Sequence, residues 1–255
     1  MGKTLTRLVF LGFILVVWEA IANSFVNPFW ISKPSLIAIR LVEMVGNGDL
    51  LWHSSITVFE AALGLFLGMA FGIPAGLMLG IYRRVSEIVD PFVLGLYSLP
   101  RVALAPLFIM WFGIGLFSKA MLAFSLVVFI VVINIQEGVR NVDPELVDLM
   151  RTMRASRQYI VRRVLLPAIV PWIFVSLRIG LGLALIGAVV AEVIGASRGL
   201  GWYIEHSAGQ FDTTGVFAGL VVLMIIAMLG NGLMKRFEDR SLRWRGSNRT
   251  VLTGM

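Results

Sequence analysis

Long apolar runs, separated by short polar interruptions, dominate the pattern of this chain. Six runs approach or exceed the ~20 residues that carry a helix across a ~30 Å hydrocarbon core at ~1.5 Å per residue. They are Leu8 to Val26, Ile56 to Gly80, Pro91 to Phe112, Ala120 to Gln136, Ala168 to Ile194 and Thr214 to Met234. The pattern predicts an all-α integral membrane protein of about six transmembrane helices. One membrane domain spans residues 8–240 and a polar tail follows over 241–255. The first run has Lys3 and Arg7 ahead of it and Ala20, Ala22 and Ser24 near its end, as a signal peptide would. Its length, together with Trp18 and Glu19, makes a retained span the better reading.

One interruption is too long and too patterned to be a simple loop. Asp143-Pro144 supplies a carboxylate for unpaired amides and a proline at a first helical position. Leu146, Leu149, Met150 and Met153 then recur at helical spacing and form one apolar stripe. Ser156 is placed to cap a second short helix with its own stripe of Ile160, Val161, Val164 and Leu165, while Arg157, Arg162 and Arg163 stay on the polar side. Residues 143–167 therefore read as a helical hairpin. A purely basic hairpin would suit anionic lipid. Here Glu145, Asp148, Arg151 and Arg154 mix the charge, and two methionines suit a groove on a protein, so docking to a protein is favoured.

Two spans are rich in small residues. Gly64, Gly68, Gly72, Gly76 and Gly80 stack on one helical face, a surface that another helix can approach closely. Packing within or between subunits is the ordinary reading, and a solute path along this face is the alternative. Pro74 is expected to bend that helix. The fifth span carries Gly180, Gly182, Ala184, Gly187, Ala188 and Ala191 in the same manner. Between the first two spans, Pro34 or Ser35 begins either a short interfacial helix or a plain linker.

Composition supports the membrane reading: 58% of residues are hydrophobic, 15% charged, and the mean hydropathy is +0.88. The net charge of +7 reflects topology and not nucleic acid. With both termini cytoplasmic, sixteen basic residues face that side and four, Lys33, Arg40, Lys119 and Arg198, face the other. Cysteine is absent, which excludes disulfides and thiolate metal sites.

Chemistry has little foothold. No GxxxxGK[ST] phosphate loop occurs, and Gly195 to Gly201 reads as a tight turn. His53 and His206, the only histidines, lie in no metal-binding motif, so no catalytic or metal residues are assigned. Charges inside spans are costly and invite a role. Arg101 and Arg178 either place positive charge in a solute path or anchor spans at the cytoplasmic interface. Glu192 either caps a cavity or meets water.

The hairpin also resembles something known. Asp148-Leu149-Met150, Arg154 and Val164-Leu165-Leu166-Pro167 look like the EAA loop of permease subunits of binding-protein-dependent ABC importers. PSLI at Pro34, LPRVALAPLFIMWFGIGLFSK from Leu99 to Lys119, VDPELV from Val142, RASRQYIVRRVLLPAIVPWI ending at Ile173 and AEVIGASRGLGWYI from Ala191 extend the resemblance over roughly Trp18 to Arg240. The resembling branch imports nitrate, taurine, aliphatic sulfonates and thiamine or riboflavin precursors. It implies a type I permease-like fold in a bacterial inner membrane with a cytoplasmic tail and lipid around it. Two copies would form the pathway, each seated on one cytoplasmic ABC ATPase that binds ATP-Mg, with an external solute-binding protein delivering the solute. This chain would itself bind no cofactor. Glu145, Asp148, Leu149, Met150, Met153, Arg154, Ser156 and Arg157 would couple it to the ATPase, while Arg101, Arg178, Glu192, Gly64, Gly68 and Gly72 are candidates for the pathway or an interface. The solute reads as a small organic anion, with a vitamin precursor as the alternative. A gradient-driven carrier and a membrane scaffold are alternatives of another class. Two departures stand out: the loop's glutamate-alanine-alanine is aspartate-leucine-methionine here, and its glycine is Arg154, which removes easy access to a left-handed bend.

Overall fold

The computed structural model describes residues 2–24 and 29–241. The tail after Ser241, with Arg243, Arg245 and Arg249, lies outside the described residues, as does Val26 at the end of the first predicted run. Among the described residues eleven α-helices follow one another: α1 (Gly2–Ser24), α2 (Pro34–Gly46), α3 (Asp49–Ile81), α4 (Arg83–Ser98), α5 (Ala105–Phe112), α6 (Leu116–Arg140), α7 (Pro144–Thr152), α8 (Arg157–Ile160), α9 (Leu166–Gly195), α10 (Leu200–Gly209) and α11 (Thr213–Ser241). Five stretches are long and apolar enough to cross a membrane, or six if the bent pair formed by α4 with the segment Arg101–Phe112 is one span.

That bent pair corrects the third predicted run: Pro91 to Phe112 is not one continuous helix. The chain turns by 75° between Ser98 and Arg101, and a 3-10 turn over Arg101–Leu104 leads into α5. Pro100 is the cause. It has no N–H to continue α4 and holds Leu99 in the extended region, at φ −64° and ψ 137°. By contrast α3 continues through Pro74.

Two compact units are present, each with its own packing. One comprises Met1–Phe59 and Val189–Ile226. Its core gathers Ile37 and Met44 of α2 with Ala218 of α11, ringed by Trp18, Leu41, Leu50, Tyr203, Phe217 and Val221. The connection after the first span is thus a packed helix and not a linker. Arg40 of α2 pairs with Asp212 at 2.6 Å, and Ser32 hydrogen-bonds to Thr214 at 2.9 Å.

The other unit comprises Glu60–Ala188 and Ala227–Met255, and α6 is its centre. The glycine row of α3 lies on α6. A Cβ on Gly68 would come 2.7 Å from Val127 Cβ, and one on Gly76 would come 2.9 Å from Ile135 Cβ. On another side, a Cβ on Gly187 of α9 would meet Ala123 Cα at 2.6 Å. Such separations are shorter than carbon atoms tolerate, so only glycine permits these helices to approach. Ala120, Ala123, Val127, Val131 and Ile135 are fully buried as a result. Gly64, Gly68 and Gly72 therefore serve packing inside the subunit.

Candidate functional site

The hairpin between α6 and α9 is built from local capping. Asp143 accepts the Glu145 N–H at 2.9 Å and opens α7, and Ser156 accepts the Tyr159 N–H at 3.3 Å and opens α8. Between them Arg154 adopts φ +55°. Its N–H donates to Arg151 O at 2.9 Å and the Ala155 N–H to Met150 O at 3.0 Å, the two bonds of a Schellman ending. The left-handed bend that Arg154 was expected to hinder is retained, with a non-glycine residue at the position glycine favours. Beyond α8, Leu166 N–H donates to Val161 O across a π turn, because Pro167 interrupts the ordinary ladder.

The hairpin's outer surface is not covered by any of the described residues. No residue of α7 is buried, and Leu146, Leu149 and Met153 are exposed, Met153 by 70%. Met150 is half-buried beside Met153, Ala155, Ser156 and Tyr159, which line a shallow hollow of about 300 Å³. Glu145 is exposed in the first turn, where a carboxylate suits the helix dipole. Asp148 pairs with Arg151 at 3.0 Å with both side chains largely exposed, a contact worth at most about 1 kcal/mol.

The inner side of the hairpin is held. Arg157 lies over the Tyr82 ring, 4.3 Å from its centroid. A second cavity of about 580 Å³, lined by Gly80, Val139, Val147, Arg157 and Ile160 among others, separates the hairpin from the ends of α3 and α6. One turn before α7, Arg140 donates to Asp90 of α4 at 3.0 Å, and Gln136 donates to Asp90 at 2.8 Å and to the buried Ser86 at 2.7 Å. The start of the hairpin is thereby tied to α4.

The charges inside the spans take places that single-residue reading did not foresee. Arg101 is buried, and its guanidinium donates to Leu96 O at 3.0 and 3.2 Å and to Ser125 O in the middle of α6. It also lies over Phe129, 4.4 Å from the ring centroid. Arg101 thus clasps the break that Pro100 makes. Arg178 of α9 pairs with Glu238 of α11. Glu192 is buried, 1% exposed, and accepts hydrogen bonds from Thr57 and Gly201. Lys119, one of the four basic residues assigned to the non-cytoplasmic side, is buried in an ion pair with Glu60 at 2.8 Å. No local signal links positions 60 and 119, so this pair was missed. Among the described residues no cluster of three or more metal-ligating side chains occurs.

Comparison with known proteins places this arrangement. A family model for the inner membrane component of binding-protein-dependent transport systems matches residues 68–243, which include the hairpin. The chain is 32% identical over 243 residues to the taurine transport system permease protein TauC of Escherichia coli (strain K12), covering 92% of this chain and 88% of that protein. It is 30% identical over 243 residues to the formylaminopyrimidine transport permease protein ThiX of Halalkalibacterium halodurans, covering 95% and 97%. Its fold matches an inward-facing structure of the MetNI methionine ABC transporter with a TM-score of 0.68 at 22% identity, over 74% of this chain and 94% of that one. The chain belongs to the family of binding-protein-dependent inner membrane transport components. It is a multi-pass permease subunit of an ABC importer and not an enzyme; the ATPase and the solute-binding protein are separate partners.

Proposed function

We propose that two copies of this permease form the translocation pathway and that each seats its α7–α8 hairpin in a groove of one ABC ATPase. The observation that carries this is the apolar stripe of α7, left uncovered at the end of a hairpin whose inner side is tied to α3, α4 and α6. Leu149 and Met153 supply the apolar contact and Met150 adapts beside them. Glu145 and Asp148 offer carboxylates, while the caps at Asp143 and Ser156 and the bend at Arg154 set the angle. ATP-Mg acts on the ATPase, and its closure pulls on the hairpin. Arg157 on Tyr82 and Arg140 on Asp90 pass the movement to the junction of α3 with α4 and to α4 itself. Both termini lie in the cytoplasm, consistent with the excess of basic residues there, and the exposed Ile39, Val42 and Val45 of α2 meet lipid at the outer interface.

The solute in this reading is a small organic anion of the sulfonate type, supported by the similarity to the taurine permease. A pyrimidine vitamin precursor is the second reading, supported by the comparable similarity to the formylaminopyrimidine permease. Arg101 and Arg178 favour neither, since carbonyl oxygens and Glu238 already engage them. Uptake of labelled taurine and of labelled formylaminopyrimidine by proteoliposomes holding the assembled transporter and its binding protein separates the two. ATP-dependent accumulation of taurine alone supports the first, and of the pyrimidine alone the second. ATP-independent uptake driven by an ion gradient would reject the importer mechanism.

A further inference from the structure

Three successive backbone amides at the start of α10 are each taken by a different side chain. Gly199 N–H donates to His53 Nδ1 at 3.1 Å, Leu200 N–H to Thr57 Oγ1 at 2.8 Å and Gly201 N–H to Glu192 Oε2 at 2.6 Å. The Thr57 hydroxyl in turn donates to Glu192 Oε1 at 2.7 Å. Amides in a first helical turn have no intrahelical acceptor, and a carboxylate there also suits the helix dipole. Here the acceptors come from α3 and α9, which fastens α10 to both. His53, Thr57 and Glu192 are all buried. Glycine is required in the turn: Gly199 has φ +108°, and a Cβ there would lie 2.7 Å from Glu192 Oε2.

An imidazole nitrogen that accepts an amide N–H carries no proton, so His53 is neutral with its hydrogen on Nε2. Its ring lies at 20° to the Trp202 indole with centroids 5.3 Å apart, and Trp202 stacks in the same way on His206 at 4.8 Å. We infer that His53, Thr57 and Glu192 are positioning residues that lock the first turn of α10 onto α3 and α9, and that the lock opens when His53 gains a second proton. An imidazolium presents N–H groups at both nitrogens, so the Gly199 amide would then face a donor. The stack on Trp202 survives protonation, because a cation is favoured over an indole face. Charged and titratable groups near the ring are Asp49 on its own helix, and Tyr203 and, through Trp202, His206 on α10; Glu192 on α9 holds the Gly201 amide two residues beyond the one His53 takes. The lost acceptor then releases the turn. α10 joins α9 to α11, so its release changes the link between two spans, whichever face of the membrane carries it.

The chain has no cysteine, so Ser55→Cys with Arg198→Cys introduces a unique pair at exposed positions outside the lock. The distance between spin labels on these residues is measured in the assembled transporter in nanodiscs, formed with an excess of the cysteine-free chain so that only the distance within one copy is read, between about pH 8 and 5, where histidine changes charge. A single short distance at the alkaline end, giving way to a longer one as pH falls, is expected. His53→Gln, a neutral acceptor that does not titrate, should keep the short distance throughout. A distribution in the otherwise native chain that does not change with pH, or a His53→Gln variant that titrates as its parent does, overturns the proposal.

Discussion

Gly72 of α3 lies so close to Val131 of α6 that a Cβ at position 72 would come 2.7 Å from Val131 Cβ and 2.9 Å from Val128 O. The backbone oxygen cannot yield as a flexible side chain would. Gly72→Ala should therefore lower stability by about 1–3 kcal/mol, and Gly72→Leu should prevent accumulation of folded protein. Thermal unfolding in detergent and the yield of monodisperse material check both. Native yield and stability of Gly72→Leu would place the row against open space.

Arg154 occupies a left-handed conformation at the end of α7. A side chain there costs about 1–2 kcal/mol that glycine avoids. Arg154→Gly should slow hydrogen exchange at the Ala155 amide, which closes the turn on Met150. Unchanged or faster exchange would mean that the arginine side chain contributes more than its backbone strain.

Leu149 and Met153 are exposed on the hairpin without covering any core. Leu149→Asp with Met153→Asp should leave the melting temperature of the isolated permease unchanged. Co-purification of the ATPase should fall at least about tenfold, the equivalent of ~1.4 kcal/mol. Equal recovery of the ATPase would remove α7 from the interface.

Lys119 is 4% exposed and its ammonium lies 2.8 Å from Glu60. Lys119→Met leaves a buried carboxylate without that cation and should destabilise by about 3–5 kcal/mol. Adding Glu60→Gln should restore most of the loss. Melting temperatures of the single and double variants test this, and a double variant no better than Lys119→Met would show that the pair is not the source.

Features set by local pattern were legible in the sequence. Apolar runs located the spans, and Asp143, Pro144 and Ser156 marked the hairpin, because capping depends on neighbouring residues. The period-four glycines gave away a packing face, although its partner helix could not be named without coordinates. What escaped depends on distant pairing. Glu60 with Lys119, Arg101 with Ser125, and Glu192 with Thr57 and Gly201 are contacts whose sequence separation carries no signal. The break at Pro100 was visible in principle, since a proline restrains the residue before it. The unbroken apolar composition around it outweighed that sign, and the Arg101 clasp that fills the break could not be read from either.

The intact mass of the complex released gently from native membranes tests the central claim most directly. A particle with two copies of this chain and two ATPase subunits is the expected result. A stable particle without any ATPase, under conditions in which such complexes survive, would contradict the assignment of the hairpin as their docking element.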